Sequence, residues 1–504
     1  MSDYLLGIDG GNTGIKIVLF NREGRKIASE SCPSIHLKTE KIGFEEYDAE
    51  DLWKQISQGI RKLLQTSGIF PGDIRGIGVS TYGNGIVLLG ENGRVAAPGI
   101  YSNDYRANDL ADGLKKSSTG AMIQSMTQGD IWGGQPAMLL RWFKTFQPEV
   151  YQEIKHILLF GGYIVYRLTG RYTGNKNSMG GSALLDMQTG DYSDKLMAMY
   201  GIEEMSACLP KLIEEAGSIV GGVTKRAAEE TGLAEGIPVS AGMMDNMACF
   251  VGSGADAPGI LNMVAGSWCV NQMSSEKVIR GASANMFYIY PGKYLNCSWS
   301  GASANNVEWL YKTFGNSIMQ KEFYKPSELY QKVDEIILKT KVPEELFYLP
   351  FVAQPSIHPC ARAGFAGISL STTMEEMTAS VAEGIVFIHK YHMEFFKRAG
   401  FQIDKIRLTG GISKSTRWTK LFSNLLEVPV EVVDCDETGA HGAAIAAGVG
   451  SGIYESYAQA FKECVHLERI CLPDTSDCVT QQRIKYERWK KLVEAMVEFW
   501  EKCK

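Results

Sequence analysis

The stretch from Leu5 to Phe20 limits the possible folds more than any other. An apolar run, Leu5–Leu6–Gly7–Ile8, ends in Asp9, a turn of Gly10, Gly11, Asn12, Thr13 and Gly14 follows, and a second apolar run begins around Lys16. Two β-prone runs split by a turn-rich cluster predict a hairpin. Its turn has an Asp at the base, a Thr hydroxyl, backbone N–H groups free of side-chain bulk, and a Lys just beyond. These groups suit a polyphosphate and its divalent ion: amides and Lys meet phosphate oxygens, and the carboxylate meets the hydrated metal. They also suit a plain solvent-exposed turn, so the rest of the chain has to decide.

With 504 residues the chain is too long for one simple core, and two large domains or a few smaller ones are expected. A formal net charge of −6 gives neither the basic field that nucleic acid requires nor any attraction to an anionic membrane. The 11 cysteines are scattered, with no C-x-x-C pair and no Cys/His cluster at zinc spacing. Cys249, Cys269 and Cys297 stand in apolar contexts where reduced thiols serve as small core residues, and a cytoplasmic location is expected. The N-terminus lacks a basic and an apolar leader region, and no apolar run reaches the ~18 residues of a spanning helix.

Lys26–Glu30 predicts a third strand after the hairpin, and the apolar spacing from Asp51 to Leu64 predicts a helix. Ile74–Ser80 is a short strand leading into Thr81–Tyr82–Gly83–Asn84–Gly85. Polar and Gly residues just after a strand of an α/β sheet are where small ligands sit, which makes Tyr82, Gly83 and Asn84 candidate contacts. Asp104 and Arg106 lie close enough in sequence to meet hydroxyl and carbonyl groups of a polar ligand, or to form an N-cap with a surface ion pair. Trp132 can stack on a sugar face or pack in the core. Asp245 follows a strand end and opens a helix, so it is either an N-cap or a general base facing a cleft.

Ile260–Val270 repeats the opening pattern as strand, Gly-Ser turn and strand, and points to two similar halves that each present a hairpin. Gly410–Gly411 separates a strand from a helix starting near Thr416, and lets backbone approach a flat ring such as adenine. The helix from Glu437 to Gly448 is built of small residues suited to close packing of helix on helix between domains, with His441 packed inside it. Gln481–Lys502 predicts an amphipathic helix docked on the second domain. No P-loop, G-x-G-x-x-G dinucleotide fingerprint, H-E-x-x-H or G-x-S-x-G occurs, so any phosphate chemistry has to use the hairpins.

In this order the motifs resemble the FGGY carbohydrate kinases of the actin-like ATPase superfamily. Asp9–Lys16 looks like the family's first phosphate hairpin, Gly242–Asp245 like the segment with its catalytic Asp, and Val264–Trp268 like its second phosphate hairpin. Gly410–Gly411–Ile412–Ser413–Lys414, followed by Trp418, resembles the adenosine motif, and Thr438–Ala444 the small-residue helix after it. The resemblance covers nearly the whole chain and is closest to the L-xylulose/3-keto-L-gulonate kinase branch.

It implies an α/β fold of two ribonuclease-H-like domains with an interdomain cleft. Residues 1–250 would bind sugar and carry the base, and residues 251–504 would bind nucleotide. It further implies ATP and Mg²⁺, with Asp245 as the base, Asp9 and Asp245 at the metal, and Gly11, Asn12, Thr13, Lys16, Gly266 and Ser267 around the phosphates. Gly410, Gly411, Ser413 and Lys414 would seat adenosine, and Tyr82, Gly83, Asn84, Asp104, Arg106, Trp132 and Asp245 would meet the sugar.

The implied acceptor is a small ketose, with L-xylulose, D-xylulose or ribulose favoured. A polyol of the erythritol or glycerol type, or a non-kinase actin-like module, stands as the alternative. Two positions depart from the pattern. Tyr82–Gly85 replaces the Gln-Met-His-Gly of xylulokinases, with Asn84 where the ketogulonate branch tends to have Lys, and Gly162 stands where many relatives carry Asp. The expected partner is a small-molecule sugar, with no nucleic acid and no membrane, and a homodimer is left open.

Overall fold

The computed structural model describes residues 3–12, 14–39, 41–266, 268–321, 325–353, 357–475 and 477–502. The opening hairpin forms as the sequence predicts. Strands β1 (Tyr4–Gly10) and β2 (Gly14–Asn21) pair antiparallel, and β3 (Lys26–Pro33) adds antiparallel to β2. On the other side of β1 lies β4 (Ile74–Thr81), which runs parallel to it. Next come β5 (Ile219–Gly222) and β6 (Pro238–Ser240), giving the sheet order β5-β6-β4-β1-β2-β3, and the short β7 (Met243–Met244) pairs parallel to the end of β4. Helix α1 (Ala49–Ser67) packs on one face, with Leu52, Trp53, Ile56 and Ile60 on Ile17 and Ile77. It starts two residues before the apolar pattern does, because the Asp48 carboxylate caps the N–H groups of Glu50 and Asp51.

Between β4 and β5 the chain builds an extra helical layer with its own core of Leu139, Leu140, Phe143, Leu184 and Tyr200. This layer includes the short α2 (Lys176–Gly180). Helix α3 (Asp245–Gly252) then leads into the second half.

The second sheet repeats the first. Strands β8 (Ile260–Ala265) and β9 (Cys269–Ser275) form the second hairpin, and β10 (Ala284–Phe287) and β11 (Tyr294–Ser300) follow. With β12 (Lys405–Thr409), β13 (Val430–Val433) and β14 (Leu467–Cys471) the order is β10-β11-β9-β8-β12-β13-β14. The run β11-β9-β8-β12-β13 carries the same sequence of antiparallel and parallel pairings as β3-β2-β1-β4-β6. The echo read in the sequence is therefore a duplicated sheet. Helices α4 (Ala304–Met319), α5 (Pro326–Lys339), α6 (Met374–Arg398), α7 (Thr416–Leu426) and α9 (Asp477–Lys502) surround it, and α8 (Thr438–Gly450) follows β13. Helix α9 docks through the fully buried Trp489, whose indole N–H donates to the Tyr348 carbonyl at 3.0 Å.

Helix α8 joins the halves. Its small face lies on β1 and β4 of the first sheet and along α3. Gly7 and Gly78 sit so close to the carbonyls of Ala440 and Ala443 that a Cβ on either would overlap backbone, and Gly442 meets the Ala248 carbonyl in the same way. His441 is packed here as expected, buried against Phe20 with Nδ1 3.0 Å from the Gly252 carbonyl. Among the described residues no helix is long and apolar enough to cross a membrane.

Candidate active site

Strands β1, β4 and β7 run parallel and end together. Asp9 is in register with Ser80, and Ser80 with Met243, so Asp9 and Asp245 open onto the same mouth at the strand ends. The Ser80 hydroxyl donates to Asp9 Oδ1 at 2.8 Å. Asp245 is the first helical residue of α3 rather than its cap, which is Met244, and its carboxylate accepts from the Asn246 N–H at 2.7 Å. Burial pushes Asp245 up to about 7, and the charge of Asp9 adds to the rise. Burial likewise pushes Asp9 up to about 6, opposed by the Ser80 hydroxyl and the Lys16 ammonium.

The two acids make stability depend on pH. Their folded values lie above the ordinary ~4 of an unfolded Asp, so the fold binds protons that the unfolded chain has released. The resulting stabilisation is full below that unfolded value and is lost as pH rises through about 6 and then about 7. A metal-free scan is therefore expected to give a Tm some degrees lower at about pH 8 than at about pH 6, attenuated when Asp245 is replaced by Asn. A Tm that rises across that interval would count against the buried acid pair.

The first turn is braced by its surroundings. The Gly11 N–H donates to the Gly14 carbonyl at 2.9 Å, and the Asn12 amide exchanges hydrogen bonds with the Ser102 hydroxyl at 2.9 and 3.1 Å. Lys16 Nζ reaches across to Glu437 at 2.6 Å, just before α8. Nearly half of the Lys16 side chain is solvent-exposed, and such a pair contributes only about 0–1 kcal/mol, so a phosphate can draw the ammonium away. Thr13 and Ser267, expected at the two phosphate turns, lie outside the described residues.

The expected sugar contacts divide into two groups. Asn84 and Trp132 are half-buried near the strand ends. Asn84 adopts a left-handed backbone, and its buried Oδ1 has no hydrogen-bond partner among the described residues. Gly83 lies under the Met244 side chain, and the Trp132 ring covers Gly134. Tyr82, by contrast, turns inward: its ring stacks on Phe160 at 5.4 Å, and its hydroxyl is 3.5 Å from that of Tyr47.

Asp104 and Arg106 are not a surface ion pair or an N-cap. Both are buried, joined through Arg106 Nε and Nη2 at 3.0 and 2.8 Å, and Arg106 also meets Glu46 at 2.8 Å. The guanidinium lies 3.9 Å from the Phe44 ring centre. Removing Arg106 would leave Asp104 as an uncompensated buried charge, at about 3–5 kcal/mol, so their polar ends are committed to the protein itself.

In the second half, β8 and β12 end side by side. Gly410 has φ +89°, and a Cβ there would stand 2.7 Å from the Ala265 carbonyl oxygen, next to Gly266. Gly266 offers its carbonyl to the Ala304 N–H at 2.9 Å, which ties the second turn to the start of α4. Ser413 is turned inward, its hydroxyl donating to the Gly410 carbonyl at 2.8 Å, and Lys414 pairs with Asp436 at 3.4 Å. Beyond Gly411 opens a cavity of about 410 Å³ lined by Ile412, Lys414, Ser415 and Trp418, with Tyr311 and Asp334 facing them from α4 and α5. That volume suits a nucleoside. Ser80, Ser102, Glu437 and Asp334 gave no signal in the sequence, because each acquires its partner only through tertiary contact.

Two family models match the chain: the N-terminal domain of the FGGY family of carbohydrate kinases over residues 4–252, and its C-terminal domain over residues 261–451. The L-xylulose/3-keto-L-gulonate kinase of Escherichia coli (strain K12) is 30% identical over 508 aligned positions, covering 100% of this chain and 99% of that protein. The crystal structure of xylulose kinase from Rhodospirillum rubrum superposes with a TM-score of 0.87 at 22% identity, covering 99% of this chain and 100% of that one. Gluconate kinase from Lactobacillus acidophilus superposes equally well, with a TM-score of 0.88 at 20% identity and full coverage of both chains, so the fold by itself does not select the sugar. With its duplicated sheet and its acid pair at the strand ends, and with family models matching both halves, this chain belongs to the FGGY family of carbohydrate kinases.

Proposed function

We propose that the chain transfers the γ-phosphoryl group of ATP to a hydroxyl of a small ketose, a pentulose such as L-xylulose, D-xylulose or ribulose, with Asp245 as general base. The reading rests chiefly on one observation: Asp245 lies beside Asp9 at the mouth of the first sheet, lifted to about 7, where a base works best near neutral pH. The names of the relatives favour a pentulose over a polyol, and they give no support to a non-catalytic actin-like module. Residues 1–250 would carry the sugar and the base, and residues 251–504 the nucleotide.

The residues at the site fit a magnesium ion. Two largely enclosed carboxylates, whose neighbouring ammonium, Lys16, is paired with Glu437, suit an ion bound through one or two carboxylates and substrate phosphates. Asp9 would hold it through water with Asp245 beside it, and bound there it would neutralise charge on the phosphates. Asp245 accepts the proton of the sugar hydroxyl. Lys16, drawn from Glu437, meets phosphate oxygens together with the Asn12 amide, while Gly11 and Gly266, whose N–H groups close the two turns on the Gly14 and Trp268 carbonyls, hold those turns in shape, and the Gly410–Gly411 turn with Trp418 seats the adenosine. The unpartnered Asn84 Oδ1 is an acceptor that a sugar hydroxyl satisfies, and Trp132 offers a flat face to the ring. Tyr82, Asp104 and Arg106 form the wall behind them. Phosphoryl transfer of this kind depends mainly on positioning and charge stabilisation, which is what such a wall provides.

The test is ATP consumption and sugar-phosphate formation with a panel of pentuloses, erythritol, glycerol and gluconate. A pentulose is expected to raise turnover at least about tenfold above the sugar-free background, well within the range typical of enzymes. Turnover that stays at background with every sugar would sink the proposal, and a clear preference for a polyol or for gluconate would overturn its substrate half.

A further inference from the structure

Asn177 is fully buried in α2, and its amide makes two hydrogen bonds in opposite directions. Oδ1 accepts from the Met244 N–H at 2.9 Å, and Nδ2 donates to the Phe287 carbonyl at 2.7 Å. One partner is a donor and the other an acceptor, so the orientation of the amide is fixed.

One bond holds the segment of the base and the other holds the second sheet. Met244 is the last residue before Asp245, and its peptide sets the angle at which α3 and the base leave β7. Phe287 ends β10 opposite Tyr294 of β11, which in turn faces Ser275 of β9, at the end of that strand away from the second phosphate turn. The helix that carries Asn177 continues into Gly181, where a Cβ would lie 3.5 Å from Asn84 Oδ1. A single side chain therefore ties the segment of the base to a strand of the second sheet, from a helix that runs on to the wall of the candidate sugar site.

We propose that Asn177 is a positioning residue that holds the Met244–Asp245 segment, and with it the base, against the sheet of the other half. The inference rests on the reading of Asp245 as the base. Displacing a reactive group by about 1 Å can cost about a hundredfold in rate, so losing this amide should affect turnover far more than binding. Water then competes with a misplaced sugar hydroxyl for the phosphoryl group.

The test compares the full-length wild type with Asn177→Ser, which shortens both bonds out of reach, and Asn177→Asp, which keeps the acceptor towards Met244 but not the donor towards Phe287. For each, kcat, KM for sugar and ATP, Tm, and the ratio of sugar phosphate to ADP formed are measured. Both variants are expected to lose about tenfold to a hundredfold in kcat with KM values within about threefold, and to give less sugar phosphate per ADP than wild type. A kcat within about twofold of wild type in a folded variant, whatever its Tm, would overturn the proposal, as would a loss confined to KM. If neither variant folds, hydrogen exchange on wild type decides: strong protection of the Met244 amide supports the bond, and exchange at the rate of a free peptide overturns it. Wild type without sugar-phosphate formation would instead overturn the kinase reading, so the two failures are distinguishable.

Discussion

Asp245→Asn is expected to lower kcat by about a thousandfold, with KM for sugar and for ATP changed only a few-fold. Asn is nearly isosteric and can still accept from the Asn246 N–H, so the start of α3 keeps its shape while the proton acceptor is lost. The same change should stabilise the protein. Burial and the charge of Asp9 oppose ionisation of Asp245, and a neutral amide removes that penalty. At about pH 8, without metal, the variant is expected to melt a few degrees above wild type. Loss of activity with gain of stability is the signature of a group kept against the interest of the fold. A variant that retains more than about a tenth of wild-type kcat would remove Asp245 from the role of base. One that is inactive but melts well below wild type would place it in the architecture instead.

The second large effect lies where the halves meet. Gly78→Val would put side-chain atoms into the Ala443 carbonyl of α8, and that neighbour is backbone which cannot rotate away. The expected cost is about 3 kcal/mol or more, roughly a 6–12 °C fall in Tm, together with loss of activity as the halves lose their register. Gly113→Ala is the control, since a Cβ there meets nothing within 4 Å and an Ala suits a helix better. Its Tm is expected to be unchanged or slightly raised. Equal Tm values for Gly78→Val and wild type would show that α8 does not hold the first sheet as described.

The elements were legible wherever local chemistry and period agreed. The opening hairpin announced itself because a turn of Gly and Asn separates two apolar runs, and its echo at Ile260 because the same chemistry recurs. The small-residue helix could be read as a close-packing surface since nothing but close packing favours so many Gly and Ala. Burial and side-chain direction were not legible. Asp104 and Arg106 were correctly seen as neighbours, yet the rings of Phe44 and Trp142 that enclose the guanidinium come from distant segments. Tyr82 sits in a loop rich in polar residues, and only the tertiary arrangement shows its ring facing Phe160. Asn177 carries no local signal at all, because both of its partners are main-chain groups far away in sequence.

Helix α8 also sets an order of events during synthesis. The face of β1 and β4 that it covers is built from residues made early, whereas the cover itself ends at Gly450. At about 5–20 residues per second, the first sheet waits tens of seconds on the ribosome with that surface bare. The amino-terminal half is therefore expected to be aggregation-prone when expressed alone, and to become soluble when the carboxy-terminal half is supplied as a separate chain.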